Sequence, residues 1–140
     1  MKRHRRMGRE RRGAAAVEFA LCASIFVMLI FAIIEFAGLL QIQHAVRQAA
    51  LEGARTGITL DATATSTQAQ ATNILNMSGL TAASTPTVVP NPLTYTSSTV
   101  SVTVSVDPAN NSWYKYFLPA GNLITSTITL EREVDAISVP

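Results

Sequence analysis

Residues 13–40 read GAAAVEFALCASIFVMLIFAIIEFAGLL, and this stretch decides what kind of fold the chain can adopt. Nothing from Phe19 to Ile34 is charged; one carboxylate, Glu18, lies near the start and a second, Glu35, near the end. The 27 residues from Ala14 to Leu40 make about 40 Å of helix, enough to cross a hydrocarbon core about 30 Å thick. A charged side chain at the centre of such a span costs about 2.5–3.5 kcal/mol, so an acid within it is a functional residue by default. A cleaved secretory signal has an apolar region of about 7–15 residues followed by a small-x-small site. This run is longer, and no clean Ala-x-Ala site follows it. A lipoprotein would need a small residue before Cys22, where Leu21 stands, and its apolar stretch upstream. The segment is expected to stay in the protein as a transmembrane helix over residues 14–40.

Working outward, Lys2, Arg3, Arg5, Arg6, Arg9, Arg11 and Arg12 crowd in front of Gly13, with Glu10 as the single acid among them. After Gly13 there are four bases and eight acids, so the formal charge of +2 hides a basic leader and an acidic remainder. Lys and Arg beside a span stay cytoplasmic. Residues 1–13 are therefore read as a cationic cytoplasmic leader, and everything after about Gln41 lies on the other side of the membrane. Nucleic-acid binding is not expected. That chemistry needs basic groups on a folded surface, often with stacking aromatics, and this leader has no aromatic residue.

Beyond the span, QIQHAVRQAALEGARTG puts Ile42, Val46, Ala49 and Gly53 on one stripe, with Ala45 and Ala50 beside it. Gln43, Arg47, Gln48 and Arg55 lie off it, which is the pattern of an amphipathic helix over 41–58. Glu52 and Arg55 are spaced to pair, and Gly57 reads as a helix-ending residue. Residues 59–140 read as a small extracytoplasmic module. A short helix passes through Ile74, Leu75 and Met77 and closes at Gly79. Residues 81–92, with three prolines, read as an extended connector. TVSVTVSV, Thr99 to Val106, alternates strictly and is the clearest strand; Ile124 to Leu130 is a second, with Ile124, Ile128 and Leu130 inward. Asp107 to Asn111 is a turn, and Trp113, Tyr114, Tyr116, Phe117 and Leu118 are expected to pack in the connection. Two strands alone are marginal in water, so the valine face needs the amphipathic helix or a neighbouring subunit. The expected fold is α+β: a long membrane-spanning helix, continued as an amphipathic helix, packed on a small antiparallel sheet.

Little here can catalyse a reaction. The histidines are His4, in the leader, and His44; Cys22 is alone in the span. One Cys and two distant His build neither a disulfide framework nor a metal set. Asp61, Asp107, Glu131, Glu133 and Asp135 show no spacing to a nucleophile, and no glycine-rich phosphate loop is present. Neither enzymatic activity, a metal nor a cofactor is expected.

RRGAAAVEFAL with its apolar run, then IIEFAGLL and AALEGARTG, resembles the TadE-like family of pilin-related proteins, which belong to bacterial tight-adherence (Flp/Tad) pili and are relatives of type IV pilins. The resemblance covers about Arg11 to Gly57, and beyond that only TSTITLEREVD looks similar. It implies that Gly13 is the last leader residue, cut by a prepilin peptidase, and that Ala14 becomes the amino terminus. Glu18 is then the fifth residue of the mature chain. Pilin-like motifs of these systems commonly carry Tyr after that Glu; Phe19 stands here, which suits the TadE-like minor class (minor pilin or pseudopilin) better than a major pilin. The implied partners are the peptidase, other pilin-like subunits, the Tad secretion machinery and the lipid bilayer. The implied location is the bacterial inner membrane, single-pass, with incorporation into a surface pilus as the further step.

Two readings of Glu18 follow. Opposite charges attract strongly in lipid, so Glu18 and the fresh amine of a neighbour's Ala14 would register subunits during assembly. Alternatively, Glu18 sits among headgroups beside Arg11 and Arg12. Glu35 lies 17 positions further on, about 25 Å along the helix, too far to form a dyad with it. Small residues Ala16, Ala20, Ala23 and Gly38 either let helices approach closely or are simply good helix formers in the case of alanine. For the whole chain the two hypotheses are a processed pilin-like subunit and an unprocessed anchor whose outer module binds an envelope or pilus-machinery component.

Overall fold

The computed structural model describes residues 4–82, 84–94, 96–111 and 122–132, with side chains from Gly13 onward. The chain divides into two units, Met1–Ala37 and Gly38–Pro140. One helix, α1 (His4–Gly57), supplies the first and enters the second. It begins ten residues before the Ala14 expected from the apolar run, so the leader is helical from His4 on.

The second unit is α+β. Its sheet has the order β1 (Thr87–Val89), β2 (Thr99–Val106) and β3 (Ile124–Glu131), all antiparallel. The pairing of the two alternating runs is as their pattern predicts, with Val102 opposite Ile128 and Val104 opposite Ser126. The edge strand β1 is a correction, because it lies inside the stretch read as a proline-rich connector. Val88 turns inward opposite Val102 while Thr87 and Val89 face out. Pro86 and Pro90 flank it, and because proline cannot donate to a ladder the strand stops at three residues and stays at the edge.

Every valine of β2, Val100 to Val106, is buried at alternate positions. Their cover is the stripe of α1 formed by Ile42, Ala45, Val46, Ala49, Ala50 and Ala54, with Ala71 and Leu75 of α2 (Ala64–Met77). Small residues set how closely the layers approach. A Cβ on Gly53 would lie 3.0 Å from Ala71 Cβ and 3.3 Å from Val102 Cγ1; on Gly57 it would lie 2.7 Å from Val100 Cγ1 and 3.3 Å from Thr67 Oγ1. These pairings also fix direction: within this unit α1 runs antiparallel to both β2 and α2. Gly57 is thus a packing glycine rather than a left-handed cap. Only Gly79 has positive φ among the described glycines.

Helix α2 starts at a capping box, where Thr63 Oγ1 accepts from the Ser66 N–H and Ser66 Oγ accepts from the Thr63 N–H, each at 3.1 Å. It ends as the sequence predicts. Gly79, at φ 72°, donates to Asn76 O, and Leu80 donates to Leu75 O, both at 3.0 Å, a Schellman closure with Leu75 and Leu80 buried. The expected turn after β2 is a short helix, α3 (Pro108–Asn111), capped by Asp107 Oδ1 accepting from the Ala109 N–H. The Asn111 carboxamide clasps Thr81, accepting from its N–H at 2.6 Å and donating to its carbonyl at 3.0 Å. The expected packing of Trp113, Tyr114, Tyr116, Phe117 and Leu118 lies outside the described residues.

On the outer face of the sheet, cross-strand hydroxyls pair in a ladder: Ser101 with Thr129, Thr103 with Thr127 and Ser105 with Thr125, at 2.7–3.0 Å. These exposed pairs hold register at a few tenths of a kcal/mol each. On the inner face of β3, Ile124, Ile128 and Leu130 pack against the core but remain half-buried.

Candidate functional site: the exposed apolar helix

A helix exposing a long apolar surface is stable only against lipid or other protein. From Val17 to Phe36 the described side chains of α1 are nearly all exposed: Val17, Phe19, Leu21, Ile25, Phe26, Met28 and Phe31 among them, with Phe19 at 75%. Gly13–Gly57 has the length and composition of a membrane span, and its most apolar window has no buried residue. The one polar side chain in its middle is satisfied locally: Ser24 Oγ donates to Leu21 O at 2.7 Å.

The residues singled out by sequence all lie on this helix. Gly13, Ala14, Ala16, Glu18, Phe19 and Ala20 are exposed, while Ala23 and Gly38 are half-buried. An added Cβ on Gly13 or Gly38 would meet nothing within 4 Å, so among the described residues packing requires neither glycine. At 100° per residue, Ala16, Ala20, Ala23 and Gly38 fall within about 60° of one another, one stripe along the helix. Ala14 and Glu18 are one turn apart. Glu18 and Glu35 are not brought together. Glu35 is buried, at 6% exposure. Cys22 is a free, exposed thiol. Among the described residues no group of His, Cys, Asp and Glu can hold a metal.

In the second unit the expected ion pair forms, with Arg55 Nη1 2.9 Å from Glu52 Oε1. Arg132 was not legible in advance. Its side chain is buried, Nη1 donating to Thr94 O at 3.0 Å and Nη2 to Thr59 O at 2.6 Å and Leu60 O at 2.9 Å. One guanidinium thereby ties the chain beyond α1, the loop before β2 and the end of β3. Its only sequence signal is a lone base closing an alternating strand.

Residues 13–55 match the family model described as TadE-like protein. This segment is TadE-like. The match begins at Gly13, where the cationic leader ends, and closes at Arg55, two residues before α1 does. The match covers less than a third of the chain and points to pilin-related proteins of Tad pili; the exposed apolar helix fits a single-pass membrane protein of such a system. No curated protein and no solved structure matches the chain.

Proposed function

We propose that this TadE-like chain is a minor pilin or pseudopilin of a tight-adherence pilus, processed after Gly13 by a prepilin peptidase and assembled through α1. The observation that carries the reading is the coincidence of the TadE-like segment with a helix whose apolar surface its own chain leaves exposed. The cut bond, Gly13–Ala14, has no side-chain bulk on either side, as a surface-acting protease requires. Once Ala14 is terminal, its amine is positive near neutral pH. In the first unit Glu18 lies about 6 Å along the helix from Ala14 and is exposed to a neighbour. An acid in lipid is tolerated when a partner offsets its desolvation, and a neighbouring subunit's amine supplies that partner at low dielectric.

In this reading residues 1–13 are the cytoplasmic leader, 14–40 the span, 41–58 the amphipathic extension and 59–140 the extracytoplasmic module of an inner-membrane subunit. Its partners are other pilin-like subunits and the Tad machinery. The test is cross-linking in native membranes. Glu18→Val should lower the yield of cross-linked oligomers about tenfold, equivalent to about 1.4 kcal/mol, with the protein still inserted; yields equal to the parent's would refute the pairing.

A further inference from the structure

The two edges of the sheet are built differently. On one side β1 is three residues long and sits between Pro86 and Pro90, and both features blunt an edge against further pairing. On the other side β3 runs for eight residues, Ile124–Glu131, about 27 Å of strand. It pairs residue for residue with β2, from Val106↔Ile124 to Thr99↔Glu131, so no bulge twists it away. It holds no Pro and no Lys, and nothing from Asn122 to Leu130 is charged. Among the described residues, β2 is its only strand neighbour. The backbone N–H and C=O groups on its far side thus form a row that another strand can complete.

The sequence of β3 indicates which strand. Read outward from Thr127, Ile124-Thr125-Ser126-Thr127-Ile128-Thr129-Leu130 is nearly the same in both directions. Laid antiparallel on a second copy with Thr127 opposite Thr127, it sets Thr125 opposite Thr129 on the outer face. That continues the hydroxyl pairs that already cross from β2 to β3 at 2.7–3.0 Å. On the inner face Ile124 meets Leu130, and Ser126 meets Ile128. Ile124, Ile128 and Leu130 are only half-buried within one chain, so a second copy covers apolar surface that one chain leaves open. Charge also permits the match. Glu131 falls opposite Leu123, and the two Glu131 residues lie about 27 Å apart along the strands.

We propose that β3 pairs antiparallel with β3 of a second copy about a two-fold axis at Thr127, joining two three-stranded sheets into one of six strands. The contact is isologous and closes on itself. Its outer edges are then the two proline-bounded β1 strands, which admit no further copy. One strand edge is a small interface, so the pairing is one contact within a larger assembly and not a dimer in dilute solution. It is independent of leader removal and of Glu18.

The test uses the full chain in native membranes, in a Cys22→Ser background that removes its only native thiol. Opposed Cβ atoms of antiparallel neighbours are about 4.5–5.5 Å apart, close enough for a disulfide after a small shift. On mild oxidation Thr127→Cys should give a disulfide-linked homodimer. Thr125→Cys or Thr129→Cys alone sets the two thiols about 14 Å apart along the strands, and Thr103→Cys on β2 sets them about 14 Å apart across three strand spacings. Each of these should yield at least about tenfold less dimer, being beyond disulfide reach. The double variant Thr125→Cys/Thr129→Cys should link as Thr127→Cys does, and it carries the test if Thr127→Cys fails to accumulate. Adding Thr127→Lys to the double variant opposes two ammonium groups and should lower its yield about tenfold. Equal yields at 125, 127 and 129 would mean a parallel or unspecific contact and overturn the proposal. So would a yield at 103 equal to that at 127, or a yield unchanged by the lysine. Absence of homodimer from both Thr127→Cys and the double variant overturns it too, as does linkage of 127 to a different protein.

Discussion

Gly57→Ala adds one carbon where α1 meets the middle of the sheet, and the structure sets what that carbon would cost. It would stand 2.7 Å from Val100 Cγ1, with Thr67 Oγ1 and Cγ2 at 3.3 and 3.4 Å on its other side. Carbon atoms rest about 3.5–4.0 Å apart, so Val100 must yield by about 1 Å. It is fully buried on the central strand, with Leu130 paired across the ladder. Overpacking a core costs about 1–3 kcal/mol. Replacing glycine by alanine in a helix returns about 0.5–1 kcal/mol, and less at a last residue such as this one. The balance is a loss of about 1–2 kcal/mol, a factor of about 5–30 in the folded-to-unfolded ratio. Hydrogen exchange of β2 amides, read by mass spectrometry on the full chain in detergent micelles, should accelerate by that factor. Gly38→Ala, where an added Cβ meets nothing within 4 Å, should leave β2 exchange unchanged. Val100→Ala opens a cavity of its own, but the double variant should lose about 1–2 kcal/mol less than the two single losses together, since each change relieves the other. Exchange at the parent rate in Gly57→Ala, or strict additivity in the double variant, would refute the close-contact reasoning.

Arg132→Met leaves the carbonyls of Thr59, Leu60 and Thr94 without their charged donor. It should lower stability by about 3 kcal/mol, since each bond to a charged group is worth about 1.5–3 kcal/mol and the three are not additive. Arg132→Lys should recover less than half of that loss in thermal unfolding, because an ammonium is a point donor and cannot reproduce the fork. Recovery by lysine to the parent melting temperature would contradict this. Thr67 Oγ1 is buried with no hydrogen-bond partner among the described residues. Thr67→Val should therefore stabilise the module by about 1 kcal/mol, read as a higher urea midpoint; a lower midpoint would show that the hydroxyl has a partner.

Much of this architecture was legible because its signals are long and periodic. The apolar run from Ala14, the Ile42–Val46–Ala49–Gly53 stripe and the strict alternation of TVSVTVSV each repeat often enough to exclude other readings. Gly79 was legible as a helix end because the backbone there requires positive φ. Strand β1 was hidden, since three residues between prolines carry no readable period. Gly57 does end α1, as read, but its packing role was hidden: a glycine closing a helix serves equally as a cap or as a gap, and only the position of Val100 decides. Arg132 was invisible because its acceptors lie 38 to 73 residues away in sequence. The candidate site was legible as a motif, Gly13 to Phe19, but its residues stand exposed along a single helix. In the proposed reading the partner of Glu18 is a neighbouring subunit's amine, so a single chain's geometry carries less of it than the motif does.

The central claim is that the leader is removed to create an amine one turn from Glu18. Intact-mass measurement of the protein extracted from its native membrane tests this most directly. The account predicts a chain beginning at Ala14 in cells with an active prepilin peptidase, and a chain retaining its arginine-rich leader when the peptidase is inactivated. A protein that still starts upstream of Gly13 in peptidase-active cells would contradict it.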